Sequence, residues 1–328
     1  MIIKRIYLSF ITLMLLFITL GTVTFAWISM SLINNIEGLS LSASGGDELQ
    51  ISLDGINYNS VLTAEQLQEV FENIRLVDVT STDGLTFQTG GLREEGPAIA
   101  NEHYLSFDLW FQTSVRERHV YLVNDVSDQV AYDASATGTF VISNGVMWTA
   151  KHTFLNGPNV DDIVHKGDEG RYYAKDSIRV SITEFKDEHN ENDLRVESDL
   201  NQFIFDPSGN ELRGYGKTYG AYSYFVARTR YYINLPTDIQ EVSYRLTEID
   251  PYNPYQALDN ESLVAVLQQT DEINEKGKTI YRGKVRINIW IEGWDADAFD
   301  AIENDRVKIQ LQFKALIPPE LQDWLNES

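Results

Sequence analysis

Cysteine is absent from all 328 residues. Thiol catalysis, Cys-ligated zinc, iron–sulfur clusters and disulfide staples are excluded with it. A chain without staples has to bury an apolar core of its own, and this one is long enough to do so. Basic residues are scarce as well: 26 Lys and Arg stand against 49 Asp and Glu, for a formal net charge of −23. Phosphate backbones require a basic face, so this balance argues against a nucleic-acid partner. The five histidines (His103, His119, His152, His165 and His189) are scattered and form no H-E-x-x-H or other close pair. There is no G-x-S-x-G elbow. Gly214-Tyr215-Gly216-Lys217-Thr218 looks like a phosphate loop, but that motif needs glycine where Glu211 stands. No catalytic residue and no cofactor-binding motif is therefore assigned. Internal repeats and low-complexity linkers are also missing, which favours one elaborated domain over two.

What the chain does have is a long uncharged run near its start. Lys4 and Arg5 precede Ile6–Met30, whose apolar centre Phe10–Leu20 gives way to Gly21-Thr22-Val23-Thr24-Phe25-Ala26-Trp27. A basic n-region, an apolar stretch and a small-residue exit form the pattern of a secretory signal. Two readings stay open. A peptidase cuts after Ala26, with Thr24 and Ala26 as the small residues and Trp27 as the new first residue. Alternatively the run is kept as an anchor, since 18 or more apolar residues span a bilayer. The basic pair lies on the N-terminal side, so both readings put the body outside the membrane. The expected organisation is a signal peptide or membrane anchor over 1–26, a single β domain over 27–316 and a short amphipathic tail over 317–328. The expected location is extracellular, at the cell surface or secreted, with membrane contact only through the N-terminal segment.

The body is rich in Tyr, Phe, Val, Ile and Thr, which suit pleated, half-buried strands. Period-two runs predict strands at Gly38–Ser44, Leu49–Leu53, Tyr104–Gln112, Ser177–Ile182, Gln202–Phe205, Ile280–Ile291 and Arg306–Leu316. His119–Val123 is expected as the hairpin partner of Tyr104–Gln112, and Ser223–Ile233 and Glu241–Leu246 are expected as further strands. Leu258–Gln269 is open between helix and strand. Thr63-Ala64-Glu65-Gln66 is a capping box that predicts a helix to about Arg75, and Asp297–Ile302 a helical turn. Val126–Lys175 reads as loops and short strands inserted at one end, and Phe185–Asp199 as an exposed polar excursion. About ten strands with few helices indicate a mainly β fold, an antiparallel sandwich preceded by an N-terminal hydrophobic helix.

One segment carries candidate chemistry. Asp295, Asp297 and Asp300 lie within six residues between the two clearest strands, a candidate Ca²⁺ site because hard cations want six to eight oxygens. The spacing lacks the glycine and the terminal glutamate of an EF-hand loop, and the alternative is a solvated turn. Tyr231, Tyr232 and Trp148 are candidates for stacking on sugars, against the alternative of packing in the core.

Gly21–Ser31 (GTVTFAWISMS), running into GLSLSAS and LQISLDG, resembles the secreted biofilm-matrix fibre proteins of the TasA/camelysin type. SIRVSI with FIFDPSG, and KVRINIWIEGWDADAFDAI, are similar to segments of exported bacterial proteins that share this leader. The resemblance implies a leader cut by a dedicated signal peptidase and a jelly-roll-like sandwich. It also implies assembly by donor-strand exchange, in which an N-terminal strand of one subunit completes the sheet of the next. Ile28, Met30, Leu32 and Ile36 lie at even spacing and would supply the inserted face. The alternative is that they finish the leader or form the domain's own first strand. The body is longer than the family pattern, and Trp27 sits within a still-apolar stretch. The expected function is an exported, non-enzymatic surface or matrix protein that associates with itself or with other envelope proteins. The alternatives are a membrane-anchored extracellular carbohydrate- or protein-binding module and a secreted hydrolase.

Overall fold

Runs in which branched and aromatic residues alternate with polar ones become the long strands, because each can turn one whole face to a core. The structure, a computed structural model, describes residues 11–15, 34–44, 49–71, 74–90 and 96–321. The chain opens with β1 (Asn34–Ser44), β2 (Gln50–Ser52), β3 (Val61–Leu62), helix α1 (Ala64–Phe71), β4 (Arg75–Leu76) and β5 (Asp78–Thr80). It continues through β6 (Gln88–Thr89), β7 (Gly96–Pro97), β8 (Leu105–Thr113), β9 (His119–Leu122) and β10 (Phe140–Ser143). The insertion supplies β11 (Val146–Thr149), β12 (Phe154–Leu155), β13 (Ile163–Val164) and β14 (Glu169–Tyr172). Then come β15 (Ile178–Phe185), β16 (Gln202–Phe205), helix α2 (Ala221–Thr229), β17 (Leu263–Val266) and β18 (Gln268–Ile273), and finally β19 (Thr279–Glu292) and β20 (Arg306–Leu316).

One sheet runs β17-β9-β20-β1-β3, with β10 beside the first half of β20 and β4 beside the start of β1. The other centres on β19, flanked by β16-β15 and β18 on one side and by β8-β2 and β5-β6-β7 on the other. Val307, Ile309, Leu311 and Phe313 of β20 share a single buried cluster with Val285, Ile287, Ile289 and Ile291 of β19. Phe313 meets Phe111 of β8 edge-on at 5.0 Å, joining the two sheets across that core. The fold is thus mainly β with few helices. Most pairs are antiparallel, but β1 runs parallel to β20 and β5 parallel to the end of β19.

Several expectations change. β9 is not the hairpin partner of β8: it pairs with β17 and β20 in the other sheet. Ser223–Ile233 does not form a strand; its first half belongs to α2. Ala221 and Tyr224 are buried there with Ala227 packed beside them, a spacing of three that suits a helix. Gly220 at φ 62° and Arg230 at φ 64° bound that helix. Glu241–Leu246 keeps only an isolated bridge, Ser243 to Phe205. In α1 the Gln66 Oε1 accepts the Thr63 amide at 3.0 Å, the returning half of the capping box. The helix ends at Phe71, and Arg75 already belongs to β4. The polar excursion is not simply exposed, because Asp187, Asn190 and Asp193 are buried in it. Arg195 there clasps Glu184 at 2.6 Å and Asp193 at 2.8 Å.

At the N-terminus, residues 11–15 are helical and exposed. Among the described residues no helix is long and apolar enough to cross a membrane. Thr24, Ala26, Trp27, Ile28, Met30 and Leu32 lie outside the described residues, as does most of the C-terminal tail. Ile36 is described, and it is a buried residue of the chain's own β1, opposite Val307.

Candidate functional site

The acidic segment joins β19 to β20, and its carboxylates diverge. Asp295 is buried and meets Arg179 of β15 at 2.5 Å, while Asp206 meets the same guanidinium at 2.9 Å. Arg179 is 0% exposed. Burial pulls its pKa down, but Asp206 and Asp295 more than offset this and hold it above the ordinary value. Burial pushes both carboxyls up, with Arg179 opposing. Asp297 instead takes Arg213, with Nε at 2.8 Å and Nη2 at 2.7 Å. Asp300 takes Arg228 of α2 at 2.5 Å and the Tyr224 hydroxyl at 3.1 Å. Asp305 accepts the amides of Gly145 at 2.8 Å and Ala174 at 2.9 Å.

The three predicted calcium ligands are therefore not brought to one point; each faces a different arginine. Among the described residues, no three His, Asp or Glu side chains form a group able to hold a metal ion. The segment works instead as a clasp. It ties the 206–213 loop and α2 to the end of β19, and ties the insertion to the start of β20.

Beside this clasp lies a cleft of about 590 Å³. One wall is the turn between β5 and β6. Ser81 Oγ accepts the Gly84 amide at 2.9 Å, and Asp83 Oδ1 accepts the amides of Leu85 and Thr86 at 2.8 and 2.7 Å. Gly84 has φ 67°, and a Cβ there would lie 2.6 Å from that of Ser181. Its carbonyl accepts from Ser181 Oγ at 2.7 Å and from Asn288 Nδ2 at 2.8 Å, which fastens the turn to the sheet. The opposite wall is the irregular 234–238 stretch, and Tyr215 and Trp294 close the cleft at one side.

Glu292, wholly buried, ties Gln240, two residues past the 234–238 stretch, to the end of β19. Its Oε2 accepts from Gln240 Nε2 at 2.9 Å and from the Trp290 indole at 3.0 Å, and its Oε1 accepts the Trp294 amide at 3.1 Å. Gln240 Nε2 also donates to the Ser81 carbonyl at 2.6 Å. Burial raises the Glu292 pKa, opposed by the Trp290 and Trp294 donors and by the nearby Arg179.

The sugar-stacking candidates separate. Trp148 packs edge-on against Phe154, Tyr172, Tyr224 and Phe299. Tyr231 and Tyr232 project into solvent, 74% and 82% exposed, just before the 234–238 wall. The cleft itself escapes sequence reading, because its walls come from positions more than a hundred residues apart. The local signals are the Ser81–Gly84 turn and the Asn234-Leu235-Pro236-Thr237-Asp238 loop. Compared with known proteins, the chain matches no family model, no curated sequence and no solved structure.

Proposed function

We propose that the chain is an exported, non-enzymatic protein of the cell surface or extracellular matrix, a jelly-roll-like sandwich whose N-terminal strand joins subunits. The observation that supports this is the placement of β1. It follows the apolar N-terminal run directly and lies parallel to the last strand over nine register partners, from Asn35↔Arg306 to Ser44↔Lys314. Leu39 and Leu41 are fully buried there. If β1 left, one edge of β20 would expose its backbone groups, and Ile309 and Leu311 would lose Leu39 and Leu41 as neighbours. A β1 from a second copy would satisfy the same edge. A head-to-tail exchange of that kind does not close on itself and grows as a filament.

The test uses protein beginning at Trp27, examined by electron microscopy and sedimentation at rising concentration. Filaments are expected. A second protein beginning at Gly45 should take up an added Asn34–Ser44 peptide and gain thermal stability. Monomers only, together with no peptide uptake, would refute the proposal. N-terminal sequencing of protein recovered from culture medium and from envelopes reports the export step separately.

A further inference from the structure

We infer that the cleft between the Ser81–Gln88 turn and the 234–238 loop binds a neutral saccharide. Its volume of about 590 Å³ falls within the range of small-ligand sites. The chemistry of its walls selects the ligand class. Thr82, Thr86 and Thr237 supply hydroxyls, Gln88 and Asn234 supply amides, and Asp238 supplies a carboxylate. Hydroxyls and amides both donate and accept, and a carboxylate accepts from two neighbouring donors, which matches vicinal hydroxyls on a sugar ring. No Lys, Arg or His lines the cleft, so phosphate, sulfate and uronate groups would meet carboxylates without a cation to answer them. A divalent cation is also poorly served: among the described residues no three His, Asp or Glu side chains form a group able to hold one, and only Asp83 and Asp238 bring carboxylates to this cleft.

Two further features fit a saccharide. Some aromatic surface is present, from the half-buried Tyr215, whereas Trp294 is buried. Tyr232, 82% exposed, is two residues from Asn234, so their Cα atoms lie within about 7 Å. The turn that forms one wall is also set before any ligand arrives. Ser181, Asn288 and Gln240 hold the Gly84 and Ser81 carbonyls of the turn through buried hydrogen bonds, and Glu292 holds Gln240, two residues past the 234–238 wall. A turn already held in place spares a ligand the cost of ordering it. The cleft lies against the β19 sheet, away from the β1·β20 edge, so this inference does not depend on assembly through β1.

The experiment screens the protein against neutral gluco-, manno-, galacto- and N-acetylglucosamine oligosaccharides by calorimetry, with uronate oligomers and inorganic phosphate as controls. At least one neutral oligosaccharide should bind, and its affinity should hold when NaCl is raised, because no ion pair is involved. Asn234→Ala with Asp238→Ala should weaken that binding at least about tenfold while leaving the melting temperature unchanged, since both side chains are exposed. Tyr232→Ala should weaken it as well. Binding to none of the neutral sugars, binding only to the anionic controls, or binding indifferent to these variants would each overturn the inference.

Discussion

Replacing Arg179 by Met tests the clasp at its most buried point. Arg179 is 0% exposed, and its guanidinium holds Asp206 and Asp295 and donates to the Ile178 carbonyl at 3.0 Å. Methionine keeps much of the apolar stem but leaves two carboxylates inside the protein without a cation. Breaking a buried pair in this way costs about 3–5 kcal/mol. A body of roughly 290 residues has an unfolding entropy of about 0.6 kcal/mol per kelvin, so the melting temperature should fall by about 5–8 °C at pH 7. The pH dependence has a definite sign. Without Arg179, both carboxyls have folded pKa values well above their unfolded ones, so the folded state binds the extra protons. Stability then rises as pH falls through the folded values towards about 4, and the deficit narrows on acidification. Arg179→Met combined with Asp206→Asn and Asp295→Asn should recover most of the loss, because neutral amides no longer require a counter-charge. Calorimetry of the single and triple variants at pH 7 and pH 5 reads all three effects. A single-variant loss below about 1 kcal/mol, a deficit that widens in acid, or no rescue in the triple variant would refute the reasoning.

Two further outcomes are expected. Gly220→Ala should destabilise the protein by at least about 1–2 kcal/mol, because Gly220 sits at φ 62° and a new Cβ would overlap the Ala296 carbonyl oxygen; an unchanged denaturant midpoint would contradict this. Burial pushes Asp176 up to about 6, with Lys175 at 3.6 Å opposing. Its folded pKa is thus above the unfolded value, so its contribution to stability falls as pH rises from about 4 to about 6. Asp176→Asn removes that slope, so the variant should gain on the wild type across this interval and keep the gain at pH 7. A melting-temperature difference that is flat or reversed between pH 4 and pH 7 would count against it.

How much could be read in advance differs between elements for physical reasons. β16 and β20 match their predicted limits, and β8, β15 and β19 match to within a few residues, because alternation along one strand is a local property. Thr63-Ala64-Glu65-Gln66 marked the start of α1 for the same reason, since a cap forms within one turn. α2 reads as a strand in sequence because Tyr222, Tyr224, Phe225 and Val226 have strand-forming side chains. Its helical signal lay instead in the three-residue spacing of Ala221, Tyr224 and Ala227, which matters only once the aromatic cluster around Trp148 and Phe299 exists to receive it. The acidic segment was found, but its role was not. A run of aspartates has the same spacing whether it faces a cation or three arginines.

Composition and pattern alone determined a chain without thiol chemistry, acidic, mainly β, with an apolar N-terminal run and a carboxylate-rich turn between its last two strands. Only the tertiary structure decided that β9 leaves β8 for the opposite sheet and that β1 pairs in parallel with β20. It alone decided that Arg179, Arg213 and Arg228 divide the aspartates among them, and that the Ser81–Gln88 turn and the 234–238 stretch meet in a polar cleft. The division has one cause. Strand and cap signals are written over a few neighbouring residues, whereas sheet partners, buried ion pairs and clefts join groups far apart in sequence. Those are selected by the free energy of the whole packed chain.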